Sequence, residues 1–236
     1  MKTLLAMPVD FFENGLCFYC QLAVNELRDY GDFHSRTESL WKDQDKSLQD
    51  EIDNVLSAHP DLDEQDVIDT YAWDLHLNQT KYPDIHRTAL IISLYVFLED
   101  QLNGLCSVLG TSIDSPITVE DMSGLGVERA LRYMSKVALF DLGQVSRLSF
   151  VRAANRLRNR LVHAGGVLPF DPNDKLNKFV AQTESLVGQP GGTVGILPEF
   201  IDQLIDEFCK FFDELHLQVE GFMKRASKNN SPEEAV

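Results

Sequence analysis

Between Asp84 and Leu109 the chain places Ile85, Leu90, Ile91, Leu94, Tyr95, Leu98, Leu102 and Leu105 around nearly the whole circumference of one helix. Such a helix cannot lie on a surface and must be enclosed by other elements. The enclosing segments are themselves helical in pattern. Asp10–Asp29 carries Leu16, Tyr19, Cys20, Ala23, Val24 and Leu27 at helical spacing, and Gly31 is expected to end it. Thr37–Ser57 has a narrow stripe of Leu40, Trp41, Leu48, Ile52, Val55 and Leu56, closed by Pro60. Asp63–Leu77 sets Val67, Ile68, Tyr71 and Leu75 along one side, and Pro83 with Asp84 then opens the apolar helix. After a loop over Thr111–Gly126 come a short helix, Val127–Leu139, and a longer one, Val145–His163. Leu197–Ala226 is a last long helix with Pro198 at a favoured early position. Phe179–Val187 alternates apolar and polar residues and could pair with Thr193–Leu197, which leaves room for one small β-hairpin in 178–197. The expected fold class is all-α: a helical bundle with long helices. One helical domain over 1–226 is expected, its core at about 82–166 joined by the C-terminal helix 197–226. The polar stretch 227–236 reads as a disordered tail.

The 236 residues are 44% hydrophobic, enough for a substantial core. Met1–Met7 begins like a secretory leader, but Pro8, Asp10 and Glu13 interrupt it. The longest apolar run, Ala89–Leu98, is too short to span a bilayer. The expectation is therefore a cytoplasmic protein with no membrane partner. Cys17 and Cys20 form a lone C-x-x-C, while Cys106 and Cys209 stand on apolar helical faces; all four read as packing residues. His34, His59, His76, His86 and His216 lie in acidic or loop surroundings with no matching arginine. No metal-binding motif and no P-loop is present, so neither metal nor cofactor is expected.

A net charge of −16 should repel nucleic acid on average. The distribution alters that. From Arg147 to His163 the chain holds Arg147, Arg152, Arg156, Arg158 and Arg160 and no acid, while acids crowd Asp43–Asp53, Asp61–Asp74 and Asp202–Glu220. Arg147, Arg152 and Arg160 are candidate RNA-binding residues on one cationic strip. Alternatively, two or three of these arginines pair with the chain's own acidic helices. Glu99 and Asp100 interrupt the most apolar helix, where a carboxylate needs a partner. An arginine of the 145–163 helix is the natural one, which makes Glu99 a candidate accessory residue.

The most chemical stretch is Arg158-Asn159-Arg160-Leu161-Val162-His163, followed by Ala164-Gly165-Gly166. The glycine pair must stop the helix. A guanidinium and an imidazole presented at such an end suit a phosphate, the first by pairing with its oxygens and the second by proton exchange. A helix turns about 100° per residue, so Arg158 and His163 lie roughly 140° apart, Asn159 and His163 about 40°, and Arg156 and His163 about 20°. Arg156 therefore competes with Arg158 as the partner of His163. His163 could alternatively be a C-terminal histidine facing the helix dipole and free carbonyls.

Arg158, Asn159 and His163 resemble the Arg-x4-6-His motif of the higher eukaryotes and prokaryotes nucleotide-binding (HEPN) family, including the polar residue after the arginine. The resemblance covers roughly Tyr82–Gly166. It implies an all-helical fold and metal-independent RNA cleavage by a homodimer, with the RNA 2′-OH attacking the adjacent phosphorus. Arg158, Asn159 and His163 would be catalytic and Arg156 a further accessory. It also implies a toxin or phage-defence setting, with an antitoxin or defence-system protein as a partner. In one branch of the family a tyrosine two residues past the histidine is modified by the antitoxin; Gly165 stands there in this chain. The alternative is a non-catalytic helical module that binds a partner protein or a nucleotide.

Overall fold

The computed structural model describes residues 10–229. Its helices are α1 (Tyr19–Ala58), α2 (Glu64–His76), α3 (Tyr82–Ser112), α4 (Gly126–Lys136), α5 (Leu148–Ala164), α6 (Lys175–Gln182) and α7 (Pro198–Asn229). The only sheet among the described residues pairs β1 (Leu186–Val187) antiparallel with β2 (Gly195–Ile196). The fold is all-α with one small hairpin, as the periodicity indicated. The strands are shorter than the alternation suggested, because α6 takes Phe179–Gln182. Asp174 starts that helix by accepting a hydrogen bond from the Leu176 N–H at 2.7 Å.

Two helix boundaries depart from the sequence reading. Gly31 does not end the first helix: α1 runs through it for 40 residues, whereas Asp10–Gly15 turns under the Asp10 carboxylate, which accepts from the Phe12 and Glu13 N–H groups. A glycine ends a helix by turning left-handed; one that stays helical only weakens it, by about 1 kcal/mol relative to alanine. Nor does Pro83 separate α2 from α3. A π-helical stretch, Leu77–Lys81, joins them, so Glu64–Ser112 is one continuous helix of 49 residues. Proline lacks an N–H and presses on the carbonyl four residues back, and the wider π turn accommodates both effects. An 18-residue window of this helix is long and apolar enough to cross a membrane by length and composition, which the shorter Ala89–Leu98 run did not reveal; half of that window is buried inside the protein. At the other end α7 continues past Ala226 to Asn229. The leader-like start, 1–9, and the rest of the expected tail, 230–236, lie outside the described residues.

Packing groups the residues into two units. Among the described residues the first comprises 10–28, 94–154 and 205–229; the second comprises 29–93 and 155–204. The first unit is built around the C-terminal part of α3, where Leu94, Tyr95, Leu98, Leu102, Leu105, Cys106 and Leu109 are all buried. Tyr95 donates to the Val151 carbonyl of α5 at 3.4 Å and lies edge-on to Phe208 of α7. Tyr19 of α1 donates to the Gln101 carbonyl, and the Cys106 thiol to that of Ala130 in α4. This half of α3 is mostly buried, as its sequence required, and leaves a narrow exposed face at Val96, Asp100 and Ser107.

The second unit holds the rest of α1, then α2, the start of α3, the end of α5, α6, the hairpin and the start of α7. Its core is Leu90, Ile91, Leu157, Leu168, Leu176, Val180, Leu186, Ile196, Phe200, Ile201 and Leu204. Ile85, expected in the buried helix, is instead exposed near its start. Leu40 and Trp73 are also exposed, and polar bonds join α1 to its neighbours: Tyr71 donates to Glu51 and Gln79 to Asp45.

Candidate functional site

The motif residues sit on α5 in the second unit. The helix stays regular to Ala164 and stops where the pattern demanded, with Gly165 at φ +57° and Gly166 at φ +78°. The Gly166 N–H closes back onto the Arg160 carbonyl at 3.0 Å. Both positive φ values favour glycine, which lacks the Cβ that strains this backbone. His163 is exposed in the last turn. Arg156 and Asn159 are exposed as well, and helical rotation places all three on one face. Arg158 and Arg160 are half-buried on other faces; the Arg160 Nε is buried and makes no hydrogen bond among the described residues. The exposed face thus joins His163 and Asn159 with Arg156, while Arg158 reaches it only around the helix.

The remaining candidates, Arg147, Arg152 and Glu99, belong to the first unit. Arg152 grips Glu128 of α4 with both arms of its fork, at 2.6 and 3.0 Å. Arg147 reaches Glu207 of α7 at 3.4 Å, and its backbone N–H donates to Glu214 at 3.0 Å. Ser146 donates to the same Glu214 carboxylate. These two arginines pair with acids of their own chain. Glu99 is half-buried, and its carboxylate lies against Gly126 at the start of α4, where a Cβ would come within 3.0 Å of it. Asp100 is exposed.

A second cluster escaped the sequence reading. His34 and Glu38 lie one turn apart on α1 and are both buried, while His86 and Arg87 are consecutive on α3 and half-buried. All four belong to the second unit. His34 Nδ1 and His86 Nε2 are 3.2 Å apart, and His34 Nε2 lies 3.1 Å from the Pro198 carbonyl at the start of α7. A carbonyl only accepts, so Nε2 carries a hydrogen there and Nδ1 faces His86. Arg87 Nε and Nη2 donate to the two Glu38 oxygens, each at 2.8 Å, and Nη1 donates to the Ile196 carbonyl at 3.1 Å. Burial pushes the His86 imidazole below its ordinary value, and the neighbouring His34 adds to the shift. Burial works to raise the Glu38 carboxyl, but the hydrogen bonds and charge of Arg87 outweigh it and hold the carboxyl below its ordinary value. One local signal was available: a His-x3-Glu pair shares a helix face. The partnership with His86 and Arg87 was not visible, because those residues lie on a different helix.

The lone C-x-x-C sets a half-buried Cys17 beside a buried Cys20. Cys20 is fully buried, and burial pushes its thiol up to about 12, so it stays protonated in the packed core. Cys106 is likewise pushed up to about 12 by burial.

Comparison of the chain with protein-family models, curated proteins and solved structures gives no match.

Proposed function

We propose that this chain is a metal-independent endoribonuclease of the HEPN type, acting in the cytoplasm as a homodimer in a toxin–antitoxin or phage-defence setting. The observation that carries the reading is the exposed His163 at the glycine-closed end of α5, sharing a face with Asn159 and Arg156 and following Arg158 by five residues. In the proposed reaction the RNA 2′-OH attacks the adjacent phosphorus and gives its proton to His163. A motif arginine stabilises the charge on the phosphoryl oxygens, and Asn159 fixes their position. The 5′-oxygen leaves and takes a proton from the second copy of His163. The products are a 2′,3′-cyclic phosphate and a 5′-hydroxyl. A dimer supplies what one motif lacks: an acid as well as a base, and a second cation.

The test is cleavage of RNA in EDTA by the wild type and by His163→Ala. Cleavage by the wild type, lost in the variant while its helical circular dichroism is retained, is the expected result. Equal cleavage by both proteins sinks the proposal. Arg156→Ala and Arg158→Ala then decide which arginine serves the phosphate. Replacing that arginine by lysine should be nearly as damaging as removing it, because a lysine loses the planar fork.

One observation favours the second reading, a non-catalytic helical module. Arg147 and Arg152 are committed to ion pairs within the chain, which takes both of them out of the cationic strip. Under that reading the same assay shows no cleavage from either protein.

A further inference from the structure

We propose that His34 Nδ1, His86 Nε2 and a carboxylate oxygen of Glu38 together bind one divalent transition-metal ion of the zinc class. The site is separate from the end of α5 and does not depend on the nuclease reading.

Four observations carry the inference. The ligand atoms of His34, Glu38 and His86 all lie within 4.8 Å of one another. Two imidazole nitrogens on a tetrahedral ion, each at about 2.0–2.1 Å from it, are about 3.3 Å apart. The observed separation of 3.2 Å is that of a shared tetrahedral edge. The outer contact is also in place. A metal-bound histidine nearly always donates its other ring hydrogen to a carbonyl or carboxylate, which fixes the ring, and His34 Nε2 faces the Pro198 carbonyl at 3.1 Å. Finally, Glu38 has coordination capacity to spare. A carboxylate offers about four lone-pair positions, and the two bonds from Arg87 occupy two of them.

The donor set selects the ion. Two nitrogens and one oxygen suit zinc, cobalt, nickel or copper; calcium and magnesium require oxygen shells that one carboxylate cannot supply. Three protein ligands leave a fourth position for water or a bound molecule. His86 is only half-buried, and it lies beside the exposed ring of Phe33 at 5.6 Å. Arg87 balances the charge of Glu38, so the ion adds its two positive charges to a site that is close to neutral beforehand. Binding therefore rests on the imidazoles more than on Coulomb attraction. An ion there would clamp α1 to α3 within the second unit.

The full-length chain is stripped with a chelator, and then titrated with Zn²⁺ by calorimetry and with Co²⁺ by visible absorption. The expected result is one equivalent bound, a tetrahedral cobalt spectrum without a thiolate-to-cobalt band, and a higher melting temperature. His86→Ala is the first variant because this residue is only half-buried. It should weaken binding by more than the roughly 10–100-fold that loss of an outer-shell partner costs. Glu38→Gln, which keeps the shape of the side chain, should weaken binding in the same direction. Fewer than about 0.1 equivalents bound to the wild type, a thiolate band, or undiminished binding by a folded His86→Ala protein would each overturn the proposal. The wild-type cobalt spectrum decides even if both variants fail to fold.

Discussion

Replacing Arg87 with methionine in metal-free protein is expected to destabilise the fold by about 3 kcal/mol. The side chains of Arg87 and Glu38 are only 14% and 11% exposed, and two bonds of 2.8 Å join them. Methionine keeps most of the volume of the arginine stem but leaves the Glu38 carboxylate buried without its cation. Breaking a buried pair from one side costs about 3–5 kcal/mol, mostly the desolvation of the abandoned charge. His34 and His86 also act electrostatically on Glu38, each favouring its charged form, which places the cost at the lower end. The lost bond to the Ile196 carbonyl adds about 1 kcal/mol at most. Urea denaturation followed by helical circular dichroism measures the difference. The double variant Arg87→Met/Glu38→Leu removes both charges and should return to within about 1 kcal/mol of the wild type. A single-variant cost below about 1 kcal/mol would refute the reasoning, and so would a double variant no more stable than the single.

Four further outcomes are expected. Arg152→Ala should cost no more than about 1 kcal/mol despite its short bidentate pair, because the Arg152 and Glu128 side chains are 45% and 39% exposed; a larger loss in thermal unfolding would mean that the pair organises the first unit. Gly166→Ala should cost about 1–2 kcal/mol through its φ of +78° alone, since the added Cβ would meet Leu161, Thr193 and Val194 at ordinary distances of 3.4–3.5 Å. Gly165→Asn should be milder than Gly165→Ala, because asparagine tolerates the left-handed region; equal melting temperatures for those two variants contradict this. At alkaline pH the buried Cys20 and Cys106 thiols, pushed up from 9.0 to about 12, stay protonated in the folded chain after they ionise in the unfolded one. Stability is complete below pH 9 and falls between 9 and 12, by about 2 kcal/mol per thiol at pH 10.5. Cys20→Ala should remove about half of this loss, and a wild-type stability profile level from pH 9 to 11 would contradict it.

The sequence by itself determined the helical class and the enclosure of the C-terminal part of α3, because both follow from periodicity within a single segment. It also determined the end of α5, where Gly165 and Gly166 turn left-handed, and the start of α7 at Pro198, since helix ends are local chemistry. The fate of Gly31 and Pro83 was not legible, because a breaker residue states a cost and tertiary packing decides whether that cost is met. So too with the arginines: their spacing showed a cationic strip, but only the packed helices show that Glu128, Glu207 and Glu214 engage Arg152 and Arg147. Continuity of α5 to Ala164 was needed before Arg156, rather than Arg158, could be placed on the face of His163. The cluster of His34, Glu38, His86 and Arg87 belongs wholly to the tertiary structure. Its two halves lie about fifty residues apart on different helices, and the His-x3-Glu spacing of one half does not point to the other. A histidine reads as surface in a polar stretch of sequence; it becomes a paired, buried group only when the fold sets another helix against it.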